Sequence, residues 1–384
     1  MTISLAKTST RNASLREIVD ILREQQPRKA DIITPAQNIR AEGGRLIVDG
    51  SDYEYDITPD GVTRKATELR LTGVAEAGLA EKLGIPVGYL RKTRVEAPEL
   101  WDQNVNGWLN HESREAKSYM IRTLRPGQGE DAGTARAFLS ASYRIIDNLD
   151  ILTAALRGVY DAGVQVRLDS CDLTDQRMYV RVVADEVRAY APELLRNYRS
   201  PFTGAGGADN PTVFAGFEIS NSETGCGAFS IVPRLVVQVC DNGMTITKDA
   251  MKSVHIGGRQ ADGVIQWSGT TQDRTLDLVT SQTADAVRTF LDRDYILRQL
   301  RDIEEKAGAQ ITDPEKAITT VSQRLRFSEA VRADIFAHFI RGADLSAGGV
   351  MHAVTSVAQT LPDADEAHEL ESLGIRAMEL AASL

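Results

Sequence analysis

PTVFAGFEISNSETGCGAFSIVPRLVVQVCDNGMTIT, residues 211–247, decides the fold. Its apolar residues recur at every second position: Val213, Ala215, Phe217 and Ile219 in a first run, then Phe229, Ile231, Leu235, Val237 and Val239 in a second. Successive strand residues point to opposite faces, so this spacing predicts strands with one buried face and leaves Ser230, Arg234 and Gln238 on the other. A polar, glycine-containing turn joins the runs, and Asp241-Asn242-Gly243 supplies residues that tolerate positive φ in a tight hairpin. Pro233 has no N–H to give a ladder, which predicts an edge position or a bulge. The stretch reads as a β-meander.

The same period extends upstream. Val164, Val166 and Leu168 share one face against Gln165 and Arg167, and Met178, Val180 and Val182 share one against Arg177, Tyr179 and Arg181. These strands, 164–169 and 177–183, are joined by a polar turn over 170–176. Ahead of them Ile151, Leu152, Ala155, Leu156 and Val159 fall at helical spacing behind Asp147 or Asn148 as N-cap, and Gly163 closes the helix. A Gly-rich loop over 200–211 has neither P-loop nor dinucleotide-binding spacing and reads as mobile. Downstream the period turns helical over 275–306 and over 314–341, with Gly342 as a stop, and two further helices over 347–384 break at Leu361-Pro362. Helices that follow strands without βαβ alternation predict an α+β fold: an antiparallel β-meander packed against long helices, with a helical C-terminal region.

Toward the N-terminus, Ser14 and Glu17 have capping-box spacing and open a helix that Pro27 closes. Arg45–Val48 reads as a strand, with Tyr53 and Tyr55 as its candidate partner. Over 67–93, Ala75, Leu79, Ala80 and Leu83 keep helical spacing, Gly84 stops them, and a short second helix carries Tyr89 and Leu90. This pair has the form of a helix-turn-helix with Arg91, Lys92 and Arg94 facing DNA, or of a helical hairpin packing its Leu and Tyr side chains into a core. Trp101 and Trp108, seven residues apart, share a helical face as core anchors. A strand over 118–125 ends at Pro126, and the polar loop 127–133 marks a boundary. The chain so divides into an N-terminal extension with a small hairpin (1–66), a helical-hairpin subdomain (67–130), an α+β core (131–310) and C-terminal helices (311–384).

With 384 residues, 42% hydrophobic and 26% charged, the composition is that of a globular protein. The net charge of −10 excludes a generally basic surface that coats nucleic acid, so a polyanion site has to be a local patch. No apolar segment of signal length and no 18-residue apolar run occurs, which predicts a cytoplasmic protein without membrane contact. Cys171, Cys226 and Cys240 form no C-x-x-C and read as buried small hydrophobes in a reducing compartment. Asp169, Asp172, Asp175, Glu218 and Asp241 are candidate metal-binding acids, but no ligand spacing groups them. His111, His255, His338, His352 and His368 are scattered; His255 reads as a turn histidine, and Cys240 has no histidine beside it in sequence. No catalytic residue, metal ligand or cofactor is assigned.

Several blocks in order carry a resemblance: Ala137–Asn148 (AFLSASYRIIDN), Ile219–Gly225 (ISNSETG), Val239–Met244 (VCDNGM) followed by Ser253-Val254-His255, then Val350–Ala358 (VMHAVTSVA) and Asp365–Ala377. From about residue 67 to the end the chain resembles domain-of-unknown-function family 932, met as phage/plasmid-like proteins. It departs from them at Val237-Gln238-Val239-Cys240, where members often carry a basic residue ahead of the cysteine. The resemblance implies work on replicating or recombining DNA in a bacterial or phage-infected cytoplasm. The order helix, β-meander, long helix is also similar to the core of single-strand annealing proteins of the RecT, Redβ and Erf kind.

Three readings stay open: single-stranded DNA binding and annealing by a homo-oligomer, a non-enzymatic accessory protein acting on a host protein, and a metal-dependent nuclease. For the first, Arg167, Arg177, Tyr179, Arg181 and Arg234 fall on the non-core side of three strands and form the expected nucleic-acid face. Guanidiniums pair with phosphates and a tyrosine stacks a base. The competing expectation for these residues is a solvated outer face, or one covered by a helix from the N-terminal region.

Overall fold

Residues 9–384, except 53, 60, 144–145, 240–241 and 254–268, are described by a computed structural model. Strand β1 (Thr10–Ala13) and helix α1 (Leu15–Gln25) open the chain, and Ser14 and Glu17 close the predicted capping box, each side chain bonded to the other's backbone. Strands β2 (Lys29–Pro35), β3 (Ile39–Glu42) and β4 (Arg45–Val48) follow, then a separate hairpin of β5 (Tyr55–Thr58) and β6 (Gly61–Arg64), then β7 (Thr67–Leu71). Tyr55 pairs with Arg64, whereas β4 pairs with β3 and β7, so the expected partnership of Tyr55 with β4 is corrected, and Tyr53 lies outside the described residues.

Helices α2 (Gly73–Leu83), α3 (Val87–Glu96) and α4 (Pro98–Leu109) lead to β8 (Ser118–Leu124) and β9 (Gly133–Ser140). The first sheet has the order β2-β8-β9-β7-β4-β3. Its two edges are joined by only three residues, Ala36–Asn38. That link spans at most about 14 Å, whereas six strands laid flat would part the edges by about 24 Å, so the sheet is strongly curled. Leu79 and Leu83 of α2, Leu90 of α3 and Trp101 of α4 pack into its concavity with Leu46, Leu69, Ile121 and Phe138. The helix pair is thus a packing hairpin, although Tyr89 stays 42% exposed. Arg91 and Arg94 both reach the buried Glu76, and Arg94 also donates to the Leu71 carbonyl. Of the two tryptophans only Trp101 is a core anchor; Trp108 is 41% exposed and lies against His111. Spacing fixes a helical face but not how far the sheet beneath it extends.

The second sheet begins after α5 (Asn148–Asp161) with β10 (Arg167–Leu173) and β11 (Met178–Tyr190), and continues after the short α6 (Pro192–Leu195) with β12 (Thr212–Asn221), β13 (Phe229–Val237), β14 (Asn242–Thr245) and β15 (Met251–Ser253). Every pairing in it is antiparallel, in the order β1-β10-β11-β12-β13-β14, with β15 also on β13. Pro233 sits where the edge beyond β13 is interrupted, between β15, which pairs 229–231, and β14, which pairs 234–237. The helices α7 (Gly269–Phe290), α8 (Arg293–Ala307), α9 (Pro314–Leu325), α10 (Glu329–Gly342), α11 (Ala347–Thr360), α12 (Ala364–Ser372) and α13 (Gly374–Ala382) complete the chain. Val213, Ala215, Phe217 and Ile219 of β12 and Phe229, Ile231, Leu235 and Val237 of β13 are buried in one core with α1, α5, α7, α8 and α11, on the faces that alternation predicts. The fold is α+β.

The expected divisions are redrawn. Loop 127–133 lies inside the first sheet, because β9 pairs with β8 and β7, while β1 and α1 belong to the second. Segments 1–66, 67–130, 131–310 and 311–384 therefore redistribute into one unit over residues 29–140 and another built from 10–25 with 148–382. The Gly-rich loop is pinned by backbone bonds, Ser200 N–H to Ala205 O and Gly207 N–H to Tyr198 O.

A buried charge cluster joins the units. Glu223, in the polar turn that joins the two runs, is 1% exposed, and its neighbours Asn221 and Ser222 are buried as well. It pairs with Arg136 of β9 and with Lys29 of β2 at 2.9 Å, and it accepts the Asn148 N–H at 2.9 Å, capping α5 from outside. Of the two expected caps, Asp147 and Asn148, it is Asp147 that holds the N-cap position, but its side chain pairs with Arg122 at 2.8 Å and Lys29 at 3.3 Å instead of capping. Burial works to raise the Glu223 pKa, but Arg136, Lys29 and Arg122 together hold it well below the usual carboxylate range.

Candidate nucleic-acid interface

The outer face of the meander follows from the same alternation. In the ladders Tyr179 stands opposite Ser220, Arg181 opposite Glu218, Ser220 opposite Ser230 and Gly216 opposite Arg234. Cross-strand partners share a face, so these side chains form one polar surface.

Helix α12, from the C-terminal region and not the N-terminal one, lies over much of it. His368 bridges Asp172 (Nε2 to Oδ2, 2.9 Å) and Glu218 (Nδ1 to Oε2, 2.8 Å), with its ring stacked on Tyr179 at 3.6 Å and 6°. Glu371 Oε1 accepts from Arg234 Nη2 (2.6 Å), Arg234 Nε (2.8 Å) and Thr245 Oγ1 (3.0 Å), while Oε2 lies 3.5 Å from Arg181 Nη2. Asp365 accepts the Tyr179 hydroxyl at 2.8 Å. Arg181 also lies 3.5 Å from both Asp172 and Glu218. Three carboxylates, Asp172, Glu218 and Glu371, face two guanidiniums, and a protonated His368 makes the cluster neutral. Burial raises the Glu218 pKa, yet His368 and then Arg181 more than offset it and bring it down to about 2. Burial lowers that of His368, but Glu218 and Asp172 leave it raised overall.

The five sequence-selected residues are therefore unequal. Arg181 and Arg234 are 11% and 4% exposed at the side chain, and Tyr179 is buried beneath His368, which corrects the expectation of a solvent-facing patch at these three. Alternation sorts side chains by face; what covers a polar face is decided 137 to 190 residues away. Arg177, half-buried just ahead of β11, donates Nε to the Cys226 carbonyl at 3.0 Å. Arg167 is exposed at the far end of β10 and pairs with Asp169 (2.9 Å) and Asp185 (3.3 Å). Beside α12 the face stays open as a groove of about 450 Å³, lined by Arg177, Tyr179, Ser220, Ser230, Thr245 and Lys252, with Asp365 and Glu369 on the helix side. Lys252 escaped the sequence reading because β15 is only three residues long, too short to show a period.

Nucleophilic and metal chemistry find little to use. Asp172 and Glu218 do converge, but Arg181 and His368 occupy their oxygens, and among the described residues no group of His, Cys, Asp and Glu could hold a metal ion. Burial pushes the Cys171 thiol up to about 12 and raises that of Cys226 as well, which disfavours either thiolate. Cys240, Asp241 and His255 lie outside the described residues. Among those described, no helix is long and apolar enough to cross a membrane.

Fold and site together define an α+β protein of two large sheets with a charged seam and a polar groove on its meander. No protein-family model, curated protein or solved structure matches the chain.

Proposed function

We propose that the chain binds and anneals single-stranded DNA as a homo-oligomer, a DNA-metabolism protein of the kind that its resemblance to family 932 implies. The observation that carries this reading is the groove beside α12. Arg177 and Lys252 line it as cations, over a floor of Ser220, Ser230 and Thr245 and beside Tyr179, whose ring face is taken by His368. The cations supply one of the two contact types a single strand needs, charge along its backbone, and Tyr179 is the aromatic surface nearest to them. With a net charge of −10 the surface as a whole repels a polyanion, and Glu218, Asp365 and Glu369 line the groove as well, so binding rests on Arg177 and Lys252 and weakens steeply with salt.

Assembly with a second copy is supported by apolar surface that the chain leaves uncovered. Ile57 and Val62 face each other across the β5–β6 ladder and are 83% and 64% exposed. A ladder of this length is not stable in isolation, and a partner's surface would complete it.

The test is a salt titration of oligo-thymidylate binding, comparing the parent chain with the double variant Arg177→Ala, Lys252→Ala. The affinity is expected to fall, and the slope of log affinity against log salt to shrink by about 0.7 for each phosphate that is no longer neutralised. An unchanged slope in a folded variant removes the groove from the mechanism. Absence of binding by every form at low salt removes the function.

A further inference from the structure

The side chains that α12 lays on the meander have the chemistry of a nucleotide strand. Asp365, His368 and Glu371 recur every third residue and so line one stripe of the helix. Two of them are anions, and between them is a flat ring. The ring stacks on Tyr179 at 3.6 Å, one anion accepts the Tyr179 hydroxyl, and the other draws together Arg234 and Arg181.

The hold is polar. Leu370 is the one residue of α12 within the apolar core of the second sheet, whereas α11 gives that core Ala347, Val350, Met351, Ala353, Val354, Val357 and Ala358. An element with little apolar burial opens at lower free energy than the core around it. Two donors beneath it are also unsatisfied: Arg181 Nε and Arg234 Nη1 are buried and give no hydrogen bond. Arg181 Nε lies 3.5 Å from Glu218 without bonding geometry. A bound phosphate, with oxygens free to turn, can accept from donors that one carboxylate cannot reach.

We propose that α12 is an intramolecular occupant of the strand-binding face, which a single strand displaces so that Arg181 and Arg234 become phosphate contacts and Tyr179 becomes a base platform. This rests on the single-strand reading above and adds its regulation: the groove beside α12 takes the strand first, and displacement of the helix extends the site.

The test uses the full chain and oligo-thymidylate. Glu371→Gln and Asp365→Asn each weaken the hold of α12 and keep its shape. Each tenfold gain in the population of the open form raises apparent affinity about tenfold, as long as that form is the minority. Either variant is therefore expected to bind about tenfold more tightly than the parent. The parent's salt slope should carry contributions from Arg181 and Arg234, about 1.4 beyond those of Arg177 and Lys252. In the parent, where no substitution can disturb folding, saturating oligonucleotide should speed amide hydrogen exchange over residues 364–372. Binding with equal affinity by parent and variants, or exchange in α12 that stays constant or slows on binding, overturns the occupant and leaves the groove reading standing. If no form binds at low salt, both fall.

Discussion

Gly243 has no side chain because Arg234 and Glu371 fill the space: a Cβ there would lie 1.9 Å from Arg234 Nη2 and 2.6 Å from Glu371 Oε1. In the sequence it reads as a turn glycine, but it stands within β14 opposite Val236 and without a positive φ. Gly243→Ala is expected to break the Arg234–Glu371 pair and destabilise by about 3 to 5 kcal/mol, as removal of one partner from a buried pair does, measured by urea denaturation. A cost below about 1 kcal/mol would show that the pair yields easily. Alternation was enough to place Phe217 and Leu235 inward and Arg181 and Arg234 outward. It could not show that the outward set is buried again, because that depends on acids and a histidine from a helix distant in sequence. The two buried histidines should shape stability against pH in opposite directions. Burial brings His352 down to about 4 from 6.5, so its contribution is complete above pH 6.5 and is lost as pH falls toward 4, worth about 3 kcal/mol in full. His368 is raised from 6.5, so its contribution is complete below that value and is lost as pH rises through its folded pKa. Melting temperature should therefore peak near pH 6.5, with His368→Gln flattening only the alkaline limb. A variant that keeps the full alkaline decline would remove His368 as its cause.

At the scale of elements, the sequence reads the strands of the meander well and the helices as too few. The span 275–306 is two helices meeting at Leu291-Asp292, 314–341 is two, and 347–384 is three. Helical periodicity does not register a break that leaves apolar residues in phase, and the breaks lack the usual stop signals. Between α9 and α10 it is Arg326, not glycine, that takes the left-handed conformation, at φ 60°. α12 and α13 share Leu373 as end and start with no loop between them. The hairpin β5–β6 was equally hidden, since Tyr55 and Ile57 pair with Arg64 and Val62 in a ladder that joins neither large sheet. Its apolar side faces away from the chain's own cores. The double variant Ile57→Asp, Val62→Asp should leave the melting temperature within a few degrees, because no core residue is touched, and should lower the mass measured by light scattering. A particle of unchanged mass would place the subunit interface elsewhere.

Among the described residues the two apolar cores are separate clusters, and a buried set of charges bridges them. Lys29, Arg122 and Arg136 come from the first sheet, and Glu223 and Asp147 from the segments that flank the second, with Asp31 completing the balance at 2.9 Å from Arg122. Such a seam holds only while complete, because desolvation has already cost each ion its water and only its partners restore that loss. Removing Glu223 leaves three cations facing two carboxylates and takes the cap from α5. Glu223→Ala is therefore expected to destabilise the junction by about 3 to 5 kcal/mol while each sheet keeps its own apolar core. The consequence is a loss of cooperativity as well as of stability. In a Trp267→Phe background the remaining tryptophans, Trp101 and Trp108, both sit on α4 and report the first sheet, whereas far-ultraviolet dichroism reports the whole chain. The two signals should follow one urea transition with Glu223 present and separate into two with Glu223→Ala, the criterion by which two-state unfolding fails. Transitions that stay coincident and only move to lower urea would mean that the sheets unfold as one through interactions other than this seam.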